Sequence, residues 1–271
     1  MTDEVFTRFY RLLEQKTGIS LDSTKNYLIE SRLAEICKAQ DQPSITEFLK
    51  ALTSTSVGDL HWQVFEALVT NETMFFRDRQ FFDALVQSII PEIIVRRKGE
   101  RALRISCAAV STGQEAYSIA IALKENFPEL KSWDVYIQAT DLSERALHRA
   151  RAGLYTRTEI ERGLDSYLIN KYLTITSAGK YQINPVIRDS VSFLPGNLLD
   201  PSPAYPKFDL ILLRNVLIYF GPATKEKVLA HIHRQLSPAD GILVLGATES
   251  ILGSASYKLQ QHGKISCYTP S

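Results

Sequence analysis

Over roughly the first 95 residues, apolar positions recur at three- and four-residue intervals, the spacing that lines one face of a helix. Val5, Phe6, Phe9, Leu12 and Leu13 predict a first helix, and Leu28, Leu33 and Ile36 a second. Ser44 followed by Glu47 is a capping-box signature ahead of Phe48, Leu49 and Leu52. Val64, Phe65, Leu68 and Val69 mark a fourth helix. A fifth is expected from about Asp78 to Arg97, kinked or broken at Pro91.

After Gly99 the rhythm changes. Residues 103–109, 134–140, 191–194, 208–213 and 241–246 form short, almost continuously apolar runs. Between most of them lie amphipathic stretches at 115–126, 143–152 and 222–236. Strands apolar on both faces and alternating with helices predict a mostly parallel, covered sheet. Residues 257–259 and 264–268, around His262-Gly263, suggest a closing hairpin. The 38 residues from Gly153 to Ser190 exceed a simple connection. Residues 181–186 and 191–194, with the turn Ser177-Ala178-Gly179, suggest a small antiparallel insertion there. The expected organisation is a helical domain over 1–77, a linker helix over 78–98 and an α/β domain over 99–271, the insertion occupying about 165–193.

Composition narrows the function classes. The 271 residues carry 31 Lys and Arg against 30 Asp and Glu, so no whole-protein field attracts a polyanion and nucleic acid is disfavoured. Three widely spaced cysteines, Cys37, Cys107 and Cys267, point away from a disulfide framework or zinc site and towards a reducing compartment. The apolar runs are too short for a membrane span, and the acidic start, Met1-Thr2-Asp3-Glu4, is unlike a signal peptide. A soluble, cytoplasmic protein without membrane insertion is expected.

In open α/β sheets ligands bind beyond the carboxyl ends of the strands. The first strand runs into Ser111-Thr112-Gly113-Gln114-Glu115, where one glycine in a tight turn lets a ligand approach the backbone. A carboxylate there opposes a pyrophosphate. Glu115 either complements the helix dipole or meets a cationic or hydroxyl-rich ligand. Asp141, ending the second strand, is placed to take ribose hydroxyls or to cap the next helix. Asn197 and Leu198 follow the third strand, Asn197 being equally suited to a plain turn. Arg214 and Asn215 follow the fourth; an arginine amid Leu212, Leu213 and Val216 needs an anionic partner, in a salt bridge or a site. Asn71, Thr73 and Arg77 flank Phe75 and Phe76 in a stretch unlike a loose linker; the pair would pack two domains together or belong to a site.

These segments, with Gly153-Leu154-Tyr155 and the 214–220 run Arg-Asn-Val-Leu-Ile-Tyr-Phe, closely resemble the CheR family of chemoreceptor glutamate O-methyltransferases. The resemblance spans nearly the whole chain. It implies a helical N-terminal domain and a Rossmann-like α/β domain that binds S-adenosylmethionine and releases S-adenosylhomocysteine. It also implies a small β insertion, and partners that are the cytoplasmic signalling domains of transmembrane chemoreceptors. It gives Glu115 the amino group of the cofactor's methionine part, Asp141 the ribose and Asn197-Leu198 the adenine. Asn71, Thr73 and Arg77 would line the sulfonium end, with Gly113 in the cofactor turn, and Arg214, Asn215 and Tyr219 would face the transfer centre. Arg77, Tyr219 and Arg214 are the expected catalytic residues. The alternatives are a non-catalytic cofactor-binding module and a methyltransferase for another acceptor protein.

Three further features bear on this. Cys107 stands where the family commonly has an aromatic residue. Residues 1–70 carry seven Lys and Arg against ten Asp and Glu, leaving Lys25, Arg32 and Lys38 as a sparse, solvated basic stripe. His231 and His233 are expected to be ordinary surface residues.

Overall fold

The computed structural model describes residues 2–69, 72–200, 207–251 and 253–271. The chain divides into two compact units. One comprises Met1–Thr70 with Tyr219–Val228, and the other Asn71–Ile218 with Leu229–Ser271.

In the first unit the apolar stripes meet as helices. Thr2–Thr17, Asn26–Ala39, Ile45–Thr53 and Asp59–Leu68 enclose a core that includes Phe6, Phe9, Leu13, Leu33, Phe48 and Phe65. Ser44 caps the third of these helices, its Oγ accepting the Glu47 N–H at 3.2 Å. The capping box is half made, since the Glu47 carboxylate lies 3.6 Å from Lys50 instead. The basic stripe is broken too: Arg32 turns inward and donates from Nη1 to the Leu68 carbonyl at 2.7 Å, satisfying the end of the Asp59–Leu68 helix.

The second unit opens with Arg79–Ala84, a widened π turn over Leu85–Ile89, and Ile90–Arg96. In that turn the Ile90 N–H reaches back to the Leu85 carbonyl. The turn ends two residues before Pro91, whose ring lacks an N–H and crowds the carbonyl four residues earlier. The expected kink is therefore a local unwinding of a single helical stretch.

Among the described residues ten strands follow: β1 (Ala102–Ala108), β2 (Asp134–Asp141), β3 (Leu154–Tyr155), β4 (Leu173–Ile175), β5 (Tyr181–Ile183), β6 (Val191–Pro195), β7 (Leu210–Leu213), β8 (Ile242–Leu245), β9 (Tyr257–His262) and β10 (Ile265–Pro270). Seven of them form one sheet in the order β6-β2-β1-β7-β8-β10-β9. The first five in that order are parallel, and the β9–β10 hairpin adds antiparallel to β8. The order reverses direction between β1 and β7. A second, antiparallel sheet of three strands runs β3-β5-β4.

That assignment corrects one expectation. Residues 191–195 belong wholly to the large sheet, paired with β2 from Ile137↔Val191 to Asp141↔Pro195, and the insertion recruits 154–155 and 173–175 instead. Both are apolar runs too short for periodicity to place, and only their partners decide the sheet. The core of this unit is continuous from Phe75 to Cys267, and almost the entire first half of the Gln114–Asn126 helix is buried in it. No helix among the described residues is long and apolar enough to cross a membrane.

Candidate active site

The strand registers bring five carboxyl ends into line. Pro195 pairs with Asp141, Thr140 with Ala108, Ala108 with Leu213, and Leu213 with Leu245. The loops leaving this edge start side by side at the point where strand order reverses, the usual place for a ligand in such a sheet.

The loop after β1 is tightly wound. Ala109, Ser111 and Gly113 have φ of 58°, 55° and 95°, a left-handed region that disfavours non-glycine residues by about 1–2 kcal/mol each. Asp141, buried at the end of β2, holds it: one carboxylate oxygen accepts the Ser111 N–H at 2.6 Å and the other the Ser143 N–H at 2.9 Å. The following helix is capped by Ser143, which accepts the Ala146 N–H at 3.1 Å, so Asp141 is not its N-cap. A Cβ on Gly113 would stand 2.9 Å from that of Ala150 and 3.2 Å from the Phe193 ring. Glycine here serves close packing as well as the turn.

Arg214 follows β7 and is the most enclosed charge of the site, its side chain 1% exposed. Its guanidinium donates to Glu115 at 2.8 Å, to Asp78 at 3.2 Å and to the Arg77 carbonyl at 3.3 Å. It also lies 4.2 Å above the Phe81 ring. The anionic partner that its apolar neighbours demand is therefore two carboxylates from distant parts of the chain. One guanidinium between two carboxylates leaves this cluster a formal charge of −1. Its Nε is buried without a partner among the described residues.

The stretch before Asp78 is equally built. Phe75 is fully buried and meets Tyr155 edge-on at 5.0 Å, while Phe76 packs on Phe82 and donates its N–H to Ser118 at 2.9 Å. The Phe pair thus packs within the α/β unit. Phe76 and Asp78 both have positive φ, 48° and 69°, and Asp78 caps the Arg79–Ala84 helix. Thr73 and Arg77 are half-buried, and Arg77 donates to the Glu72 carbonyl at 3.3 Å. Asn71 lies outside the described residues.

At the far side of the edge, Asn197 accepts the Leu199 N–H at 3.0 Å, and the Leu198 carbonyl faces Nδ1 of His231 at 3.2 Å. His231 is thus half-buried against this segment rather than an ordinary surface residue. Asn215 sits at φ 59° directly after Arg214. Tyr219 ends the short Leu217–Tyr219 helix, is grouped with the helical unit, and accepts the Ser20 N–H on its carbonyl at 2.9 Å. Burial pushes the Cys107 thiol well up, the charge of Glu115 adding to this and that of Arg214 opposing it.

Sequence reasoning missed two contributors, Asp78 and Glu249. Asp78 directly follows Arg77, and the signal available was the anion that Arg214 demands. Glu249 follows the end of β8, the same strand-end position that drew attention to the other residues.

Residues 71–265 match the family described as CheR methyltransferase, SAM binding domain, and residues 4–69 its all-alpha domain. Among curated relatives, a chemotaxis protein methyltransferase of Pseudomonas putida is 39% identical over 252 residues, covering 92% of this chain and 90% of its own. One from Pseudomonas aeruginosa is 40% identical, covering 91% and 90%, and one from Vibrio parahaemolyticus 35%, covering 93% and 91%.

Proposed function

The chain belongs to the CheR methyltransferase family, a family of S-adenosylmethionine-dependent enzymes, and from that premise we propose that it methylates glutamate side chains on the cytoplasmic signalling domains of chemoreceptors, forming methyl esters in sensory adaptation. The observation that carries the reading is the Arg214 cluster beside the β1 turn. Its net negative charge and the Asp141 carboxylate complement a ligand with an ammonium group, a sulfonium and ribose hydroxyls. An ionised carboxylate accepts about four hydrogen bonds, so Glu115 can serve Arg214 and a ligand ammonium together.

In this reading Glu115 holds the amino group, Asp141 the ribose, and Asn197 and Leu198 flank the adenine. Asn71, Thr73, Arg77, Gly113, Arg214 and Asn215 complete the cofactor's surroundings. S-adenosylmethionine, when bound, supplies a methyl group activated by its positively charged sulfur. The acceptor glutamate, with an ordinary pKa of about 4.3, is already ionised at pH 7 and requires no general base. The work left to the protein is orientation and exclusion of water. Arg77 and Tyr219 orient the acceptor carboxylate, and Arg214, held by Glu115 and Asp78, keeps the Arg77 backbone in place. A tight ion pair to the acceptor would stabilise the ground state and oppose transfer, which suits a partly exposed Arg77 better than a sequestered one.

The test is transfer of radiolabelled methyl from S-adenosylmethionine to receptor-containing membranes, followed by mild alkali. Label released as volatile methanol is the expected result, because an ester hydrolyses under alkali. Alkali-stable label would overturn the glutamate assignment. Absence of label with the cofactor still bound would overturn the receptor assignment in favour of a binding module.

A further inference from the structure

Two loops meet where the strand order reverses, one after β1 and one after β7. Each is held by a carboxylate at or beyond the end of the neighbouring strand. On the β1 side that carboxylate is Asp141. On the β7 side it is Glu249, for which the functional reading above has no role. One Glu249 oxygen accepts the N–H groups of Asn215 at 2.7 Å and Gly246 at 2.8 Å, and the other faces the Ile218 N–H at 3.3 Å. Asn215 and Gly246 are the second and first residues beyond the paired ends Leu213 and Leu245. Glu249 therefore closes the open end of the β7–β8 ladder and gathers donors that would otherwise lack partners there.

The closure is tight and shaped around the side chain. A Cβ on Gly246 would stand 2.6 Å from a Glu249 carboxylate oxygen, 2.7 Å from Asn215 Nδ2 and 2.9 Å from the Asn215 nitrogen. Asn215 takes the left-handed conformation, φ 59°, that turns the chain immediately after Arg214. Asparagine adopts that conformation more readily than other non-glycine residues, and the bond from its N–H to Glu249 fixes where the turn sits.

We propose that Glu249 is a positioning residue for the methyl-transfer site: it fixes the turn after β7, and through it the placement of Arg214 and Asn215 towards the cofactor. The inference rests on the assignment of S-adenosylmethionine to this edge of the sheet. It requires that loss of the carboxylate weaken cofactor binding and turnover beyond any loss of stability, because a small misplacement of a site group lowers rates by up to about a hundredfold.

Glu249→Gln retains size but offers one acceptor oxygen and turns an NH2 towards backbone donors. Gly246→Ala leaves Glu249 in place and intrudes on its carboxylate. Asp240→Asn serves as the comparison, removing ion pairs of Arg97 and Arg96 in a network at the amino ends of β1 and β7. Titration with S-adenosylhomocysteine is expected to give a Kd raised about tenfold or more in the first two variants and unchanged in Asp240→Asn, with kcat falling in parallel and the KM for receptor unchanged. If Glu249→Gln does not fold, Gly246→Ala carries the test. A wild-type Kd and kcat in both folded site variants, or an equal rise in Asp240→Asn, would overturn the inference alone. Failure of the wild-type chain to bind S-adenosylhomocysteine would overturn the functional reading and this inference with it.

Discussion

Two arginines of the proposed site differ in what surrounds them, and their substitutions separate accordingly. Arg214 is enclosed by Glu115, Asp78 and the Phe81 ring, so Arg214→Ala strands two carboxylates. A loss of about 3–5 kcal/mol is expected, measured by denaturant unfolding. Arg77 donates one long bond, to the Glu72 carbonyl at 3.3 Å, and is half-buried. Arg77→Ala is expected to change stability by less than about 0.5 kcal/mol yet lower turnover at saturating cofactor and receptor roughly a hundredfold. Unchanged turnover would remove Arg77 from the mechanism. The sequence made the demand of Arg214 legible, since a cation among Leu212, Leu213 and Val216 needs an anion. It did not identify the partners, which lie 99 and 136 residues away. Arg32 was misread for the same reason: its partner, the Leu68 carbonyl, is a helix end remote in sequence.

At the scale of elements, the stretch that carries Thr73 and Arg77 is set by its neighbour across the fold. A Cβ on Gly163 would fall 1.8 Å from the Phe75 carbonyl oxygen, so Gly163→Ala must displace that backbone. Overpacking of this kind costs about 1–3 kcal/mol, and it should also weaken S-adenosylhomocysteine binding as Thr73 and Arg77 shift. Gly179→Ala is the comparison. Gly179 has φ +70° but nothing within 4 Å of an added Cβ, so strain alone is expected there, with binding unchanged in the same titration. Helix stripes and strand runs were read correctly where they are long. Residues 191–194 were assigned to both sheets because so short an apolar strand, in fact Val191–Pro195, has no local mark of its partner. The π turn before Pro91 shows the converse: a single proline signalled where the helix would change, and packing chose how.

For the whole molecule, binding of a ligand to the folded state alone must raise its stability. S-adenosylhomocysteine at one hundred times its Kd is expected to add about 2.7 kcal/mol, read as a rise in thermal midpoint. Glu115→Gln should shrink that rise, since it removes the carboxylate proposed to hold the ligand's ammonium group. With 31 basic and 30 acidic residues, the chain offers no global field for steering, so recognition depends on such local charge. The sequence by itself determined the helical and α/β halves, the parallel strands and the strand ends at which Gly113, Glu115, Asp141, Asn197 and Arg214 stand, because periodicity and strand-end position are local properties. Only the tertiary structure decided that Arg214 is shared between Glu115 and Asp78, that Asp141 binds the β1 loop, and that Glu249 closes the end of β7 and β8. Those pairings are set by strand order and register, which bring together donors and acceptors that no spacing along the chain relates.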